Sequence, residues 1–354
     1  MIHYIVKRLL LLIPTLLGIL TINFFLAQCL PGGPVDQAIA HMQGLSGSHN
    51  HTLNSSGSAL NQTGDAQHQG ISQEQIDRIK AMYGFDKPIL VRYFTMLKQY
   101  LMFDFGESFN KHRSVVGLIG DCLPVSISLG LWSTLFIYLI SIPLGIRKAY
   151  EQGSRFDTLT SILISACYAI PGFLISIGLL IIAMDVEWLA PGGVPEWFGK
   201  PTDLSLWGKI LDYLKHFSLP VIAITLGGFA ALTLLTKHSF QEEKNKPYVI
   251  TARAKGLSEV MIKTKHVFRN AMLIVISGFP AAFVGIFFTG SILIEQCFNL
   301  HGLGLLGYEA AVTRDFPVMF GTLYIFTLIG LSINIICDLV YCWVDPRIDF
   351  ESRS

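Results

Sequence analysis

The chain has 354 residues, 51% of them apolar and only 14% charged, with a net charge of +1. A mean hydropathy of +0.51 is too high for a soluble domain of this length and indicates an integral membrane protein. Near-neutral charge gives no support for a nucleic-acid partner.

Taken in chain order, the first uncharged run is Leu9–Val35, long enough to cross the hydrocarbon core as a helix. Lys7-Arg8 before it and Leu26-Ala27-Gln28-Cys29 at its end also fit a cleaved leader. However, Gln28 is not the small residue such a site requires and the run is too long, which favours a retained first span in residues 1–30. The longest aqueous region follows at 31–121. Its part 41–70 is rich in Ser, Gly, Asn, Gln and His and nearly uncharged, the composition of a flexible insertion. His41, His49, His51 and His68 raise a metal-binding reading, but no spacing fixes a ligand geometry and a solvated polar linker is favoured. Ser72 to Ile76 starts like a capped helix, and Pro88 to Phe103 reads as an amphipathic helix with Ile89, Tyr93, Phe94, Leu97 and Leu101 on one face. Together they predict a small helical cap on the outer side.

Uncharged runs recur at Cys122–Ile146, Thr158–Met184, Phe217–Thr236, Asn270–Ile294 and Phe316–Cys337. With the first run they predict an all-α integral membrane protein of six transmembrane helices, the cap lying between spans 1 and 2 and the spans of the core lying within 122–342. Placing the N-terminus in the cytoplasm puts 15 of the 26 Lys and Arg residues in the short inside segments. That bias predicts both termini, including the tail 343–354, on the cytoplasmic side.

Enzymatic chemistry finds little footing. Gly199-Lys200-Pro201 and Gly208-Lys209-Ile210 do not continue as a phosphate-binding loop does, and the spans hold no central His to act as a base for a nucleophile. A proton-coupled carrier places ionisable residues deep in the bilayer, whereas Asp121, Asp185, Glu295 and Asp338 sit at span ends. The six cysteines lack metal-ligand spacing and read mostly as apolar filler, a Cys29–Cys122 bridge being the alternative for one pair. Small residues four apart, Ser126-Gly130-Thr134 and Ser161-Ser165-Ala169, allow close helix approach.

The most informative segment is the basic loop 237–269 between the fourth and fifth runs. It contains Tyr248-Val-Ile-Thr-Ala-Arg-Ala-Lys-Gly256-Leu-Ser258, in which a lone Gly followed by a capping Ser predicts two short helices meeting at a sharp bend. Positive-inside charge explains the Lys and Arg residues there. It does not explain the small Ala252 and Ala254, or an apolar Leu257 that is expected to be exposed for a partner.

These residues resemble the cytoplasmic signature loop of permeases in binding-protein-dependent ABC importers, in the variant of the dipeptide/oligopeptide/nickel class. Further similarity lies in Leu30-Pro-Gly-Gly-Pro34, Tyr83-Gly-Phe-Asp-Lys-Pro88, Phe103-Asp-Phe-Gly-Glu-Ser108, Ile170-Pro-Gly-Phe173, Arg314-Asp-Phe-Pro317 and Asp345-Pro-Arg347. Within the class it is most similar to the Yej-type branch of peptide importers, which also admits peptide-nucleotide antibiotics of the microcin C kind. The resemblance implies a coupling elbow formed by Tyr248, Thr251, Ala252, Arg253, Ala254, Lys255, Gly256, Leu257 and Ser258, seated in a groove of an ATPase subunit. It further implies an outer gate or pore drawn from Ser291, Glu295, Gln296, Phe298, Asn299 and Leu303. No cofactor is expected in this chain, with ATP and Mg bound by the partner ATPase. The implied partners are a second homologous permease, most simply as a heterodimer, two ATPase subunits or one fused ATPase, a periplasmic substrate-binding protein and a peptide, all at the bacterial inner membrane. A nickel cargo and a proton-coupled peptide carrier stand as alternatives. The chain departs from the general importer loop in carrying Ile250 where that loop has Glu, and in lacking a proline soon after Arg269-Asn270, so the fifth span is expected to start without a proline kink.

Overall fold

A computed structural model describes residues 2–29, 87–184, 186, 192–195, 197–198, 202–279, 283 and 292–344. The polar stretch 41–70, the helix expected from Ser72 and the pore candidate Ser291 lie outside the described residues. Every regular element among the described residues is helical. The chain falls into two compact units, one of Met1–Ile13, Gly117–Glu309 and Ile325–Ser354, the other of Pro14–Val116 and Ala310–Tyr324.

The second unit is built on two helices and a turn. In α1 (Ile2–Cys29), Leu20, Asn23 and Phe24 are buried, a stripe at the i, i+3, i+4 spacing of one helix face. In α2 (Ile89–Leu101) the inward face is rotated from the one read in the sequence. Tyr93, Met96, Leu97 and Tyr100 turn inward, while Ile89, Phe94 and Leu101 are exposed. Two aromatic anchors set that rotation. The Tyr93 hydroxyl lies 2.8 Å from Thr21 Oγ1 and its ring meets Phe24 edge-on, while Tyr100 packs edge-on against Phe105 and Tyr324.

Two motifs distant in sequence meet in this unit. The buried Asp315 carboxylate accepts hydrogen bonds from Ser108 Oγ at 2.6 Å, Phe109 N at 3.3 Å and Asn110 N at 3.2 Å, and Asn110 Nδ2 donates to Thr313 Oγ1 at 2.8 Å. A carboxylate aimed at two backbone amides and a hydroxyl locks the turn in place. Asp315→Ala leaves those donors without their acceptor and is expected to lower stability by about 1–3 kcal/mol, read as a fall in the melting temperature of the purified protein.

The first unit holds most of the length of the long helices. Three helices among the described residues are long and apolar enough to cross a bilayer: α3 (Val115–Tyr150), α6 (Leu206–Lys244) and α12 (Phe316–Val344), tested over Phe316–Leu339. Between them the run expected to be one helical span, Thr158–Met184, is broken. It forms α4 (Arg155–Ala169) and α5 (Gly172–Ala183), inclined at 94°. The cause is Pro171, which pushes Ile170 into extended geometry (φ −86°, ψ 121°) by crowding its backbone.

Helices α3 and α6 approach closely where the sequence gives them no side chain to separate them. A Cβ added at Gly145 would lie 2.6 Å from Thr236 Cβ and 2.8 Å from the Thr233 carbonyl. Without a hydrophobic force between helices in lipid, such close contact, with its dispersion and short hydrogen bonds, holds the spans together. Ser141 Oγ donates to the Phe229 carbonyl at 2.8 Å. The main apolar core of the unit gathers Val125, Leu129, Phe217, Ile224, Phe298 and Leu300. Cys122, Cys167, Cys297 and Cys337 are free thiols.

Candidate functional site

The basic loop forms a built elbow. After α6 ends, Lys246 is extended and Pro247 opens α7 (Pro247–Ala254) at the first helical position, where its missing N–H costs nothing. The helix stops at Gly256, whose φ of +77° is the left-handed conformation that glycine adopts without penalty. Gly256 N donates to the Arg253 carbonyl at 2.9 Å and Leu257 N to the Ala252 carbonyl at 3.3 Å, the paired bonds of a Schellman stop. Ser258 then caps α8 (Glu259–Met261), its Oγ accepting from Met261 N at 3.3 Å. The chain continues as a π-helical turn (Ile262–Val267) into α9 (Phe268–Ser277). The fifth run therefore starts through a π-helical irregularity, with no proline involved.

The Schellman stop corrects one expectation. The sequence suggests Leu257 as an exposed contact for a partner, yet it is half-buried and packs back on the elbow's own apolar base, the hydrophobic contact that accompanies this motif. That base is Val249, Ala252, Ile262, Val267 and Ala271 against Ala149 of α3 and Phe240 of α6, with Tyr150, Tyr248 and Leu257 at its edge. Ala252 is accordingly buried as well. Its small side chain lets α7 sit close to its own protein, and Leu257 leaves only part of its surface exposed. Thr251, Arg253, Ala254, Lys255, Gly256 and Ser258 are exposed.

Polar bonds fix the elbow on its supports. The Glu243 carboxylate, buried at the end of α6, accepts from the Tyr248 hydroxyl at 2.6 Å and from the Lys246 ammonium. Burial, followed by the hydrogen bond to Glu243, pushes the Tyr248 hydroxyl up to about 12, so it stays a protonated donor at any cellular pH. Lys244 Nζ donates to the Ala149 carbonyl at 2.6 Å, Ser239 Oγ to the Ala271 carbonyl at 2.7 Å, and Lys263 Nζ stands 4.4 Å over the Tyr150 ring. Across the bend, Arg253 grips Glu259 with two bonds, Nε to Oε1 at 2.5 Å and Nη2 to Oε2 at 3.2 Å. This exposed bridge is screened by water and adds little stability, but its fork geometry fixes the angle between the arms.

One further bracket has no local signature as a whole. Asp157 in the first turn of α4 receives Lys237 Nζ of α6 at 2.8 and 3.0 Å and Lys148 Nζ of α3 at 2.9 Å. The fully buried Lys148 also donates to Thr160 Oγ1 at 2.7 Å and Ser161 Oγ at 2.8 Å. A single carboxylate thus joins three helices just before α6 enters the elbow. In sequence Lys148 and Lys237 looked like positive-inside charge. The legible signal was Ser154 three residues before Asp157, an N-cap that places the carboxylate in a helical first turn.

Of the pore candidates, Glu295 lies in α10 (Ile292–Cys297) and is buried. Its carboxylate accepts from Leu305 N at 2.7 Å, capping the positive end of α11 (Leu303–Val312), and it fills the space that a side chain at Gly302 would take. Leu303 N donates to Ser126 Oγ at 2.8 Å, which gives Ser126 a hydrogen-bonding task besides being small. Phe298 and Leu303 are fully buried, and Phe298 packs in the main core. Gln296 and Asn299 are exposed, Asn299 with a φ of +51°.

Residues 141–350 match the family described as the binding-protein-dependent transport system inner membrane component. The inner membrane ABC transporter permease protein YejB of Escherichia coli O157:H7 is 56% identical over 364 aligned residues, covering 99% of both chains. The peptidoglycan transport system permease protein YejB of Agrobacterium fabrum is 49% identical, again covering 99% of both. The oligopeptide transport system permease protein AppB of Bacillus subtilis is 32% identical over 98% of this chain and 99% of its own.

Proposed function

Because the chain belongs to the inner membrane components of binding-protein-dependent transport systems, we propose that it forms half of an ATP-driven pore for oligopeptides and couples ATP to transport through the elbow Tyr248–Ser258. The observation that carries this reading is the elbow itself, a bend fixed by a Schellman stop, a Ser cap and an Arg253–Glu259 bridge at the end of a 39-residue helix. A protruding bend that is rigid within itself and continuous with a long helix transmits a push from a soluble subunit into the membrane.

In this reading six spans cross the inner membrane with both termini in the cytoplasm, and the 31–121 region faces the binding protein as an outer cap. A second, homologous permease completes the path. Two ATPase subunits, or one fused ATPase, bind ATP and Mg and grip one elbow from each permease. Their closure switches the pore between inward-facing and outward-facing states, which nucleotide biases by binding one state more tightly. Glu295 shapes the outer segment 299–315 by capping α11, and Phe298, Leu303, Gln296, Asn299 and Ser291 are the residues from which an outer gate is drawn. Peptide cargo follows the relatives, which include an oligopeptide and a peptidoglycan transport permease, and peptide-nucleotide conjugates of the microcin C kind are proposed as further cargo.

The test is uptake of a labelled peptide into proteoliposomes holding the complete complex. Uptake is expected to need ATP on the ATPase side and the binding protein on the other, and to survive a protonophore. Uptake driven by a proton gradient without ATP would contradict the reading.

A further inference from the structure

The elbow's outward surface differs from the one the motif alone points to. With Ala252 buried and Leu257 half-buried, the exposed large apolar side chains of α7 and α8 are Ile250, 61% exposed, Val260, 71%, and Met261, 41%. Ile250 lies three residues before Arg253 on α7 and hence on the same helix face. The Arg253–Glu259 bridge ties that face to the start of α8, where Val260 and Met261 follow directly. Apolar side chains from both arms therefore flank one polar staple. From Pro247 to Asn270 the chain also carries five Lys and Arg residues against the single acid Glu259; Glu259 is already committed to Arg253, as Lys246 just before this stretch is to Glu243.

We infer that Ile250, Val260 and Met261 form the contact patch of the elbow, and that its occupant is an ATPase groove with an apolar floor and an acidic rim. This rests on the reading of the elbow as the coupling loop and adds the chemistry of the partner. Exposed aliphatic groups on a segment outside the spans are a liability that a protein contact removes, and desolvated apolar anchors ringed by charge are the common anatomy of such contacts. The surplus of positive charge around the patch selects an acidic rim on the partner and speeds its approach. The shape of the patch also assigns roles. Gly256 and Ser258 make the bend, Leu257 and Ala252 hold it to the permease, and Ile250, Val260 and Met261 meet the partner.

The experiment uses the complete complex, purified through the permease, with the retained ATPase quantified. Ile250→Asp and Val260→Asp are each expected to lower retention by about tenfold, because a carboxylate meets an apolar floor and an acidic rim, while permease levels in the membrane stay unchanged. Lys255→Glu is expected to give a loss of severalfold, and no effect there would remove the acidic rim. Gly256→Pro is run in parallel. If it releases the ATPase while both Asp variants retain it, the contact patch is wrong and the coupling elbow stands. If none of the three releases it, both fall. Because the same basic and apolar groups also suit an anionic membrane surface, a fluorophore on Ile250→Cys is read in nanodiscs. A blue shift on adding ATPase subunits is expected. Strong quenching by brominated anionic lipid that persists with the ATPase bound would overturn the assignment in favour of the bilayer.

Discussion

Gly256→Pro is expected to abolish ATP-driven uptake while leaving the chain in the membrane at its normal level. Gly256 sits at a φ of +77°, a conformation that the pyrrolidine ring, fixed near −65°, does not reach. Its N–H also donates to the Arg253 carbonyl at 2.9 Å, and proline has no N–H to give. Both halves of the stop between the two arms are lost, at a cost on the order of 3 kcal/mol, concentrated in a segment outside the spans. Gly256→Ala is the graded companion. A Cβ there meets open space, so only the left-handed backbone is penalised, by roughly 1–2 kcal/mol. Uptake should therefore fall partway with Ala and vanish with Pro. Equal, normal uptake in both variants would mean that the bend has no part in transport.

Asp157→Ala is expected to be the most destabilising single change outside the apolar core. It strands the Lys148 ammonium, fully buried, with only two hydroxyls and a carbonyl for company, and leaves Lys237 beside it without its counter-charge. Removing one partner from a buried ionic network costs about 3–5 kcal/mol, a large share of the stability a folded chain has to lose. Lys148→Met should cost less, because it removes the buried charge along with its partner's need for it and leaves Asp157 paired with Lys237. Burial by itself raises the Asp157 carboxyl, but hydrogen bonds from Lys237 and Lys148 and from the Gly153 amide outweigh it and hold the group well below the usual carboxylate range. A carboxyl whose folded value is depressed contributes stability at any pH above its unfolded value and loses it only as pH falls through the folded one. The melting temperature of the purified chain should therefore be insensitive to this group across the neutral range and drop in strong acid. In Asp157→Ala the acid-sensitive part of that drop should be absent.

What the sequence made legible was local. Gly256 followed by Ser258 gave away a bend because a left-handed stop and an N-cap are each written in one residue. The long helices were visible for the same reason, as unbroken apolar runs of sufficient length. The proline at 171 is in plain view, but a proline within an apolar run is equally compatible with a kinked single span, and the extended backbone at Ile170 and the 94° corner are seen only in the structure. Charges were harder still. Lys148, Asp157 and Lys237 lie up to 89 positions apart, and nothing in their local surroundings says that they share a site. Glu243 likewise has nothing in its local surroundings to mark it as the acceptor that seats Tyr248. Leu257 shows the opposite case, in which the motif is legible but the exposure it suggests is only partial. The residue after a Schellman glycine folds back on the helix it terminates, so its apolar character serves the elbow and leaves the partner to Ile250, Val260 and Met261.

The most direct measurement is a gentle purification of the tagged chain from its native membrane, with every co-purifying protein identified and ATP hydrolysis assayed. The account predicts a second, homologous permease and an ATP-hydrolysing subunit in the same complex, with hydrolysis stimulated by peptide-loaded binding protein. A chain that emerges alone, stable and without a nucleotide-hydrolysing companion through the same preparation, would contradict it.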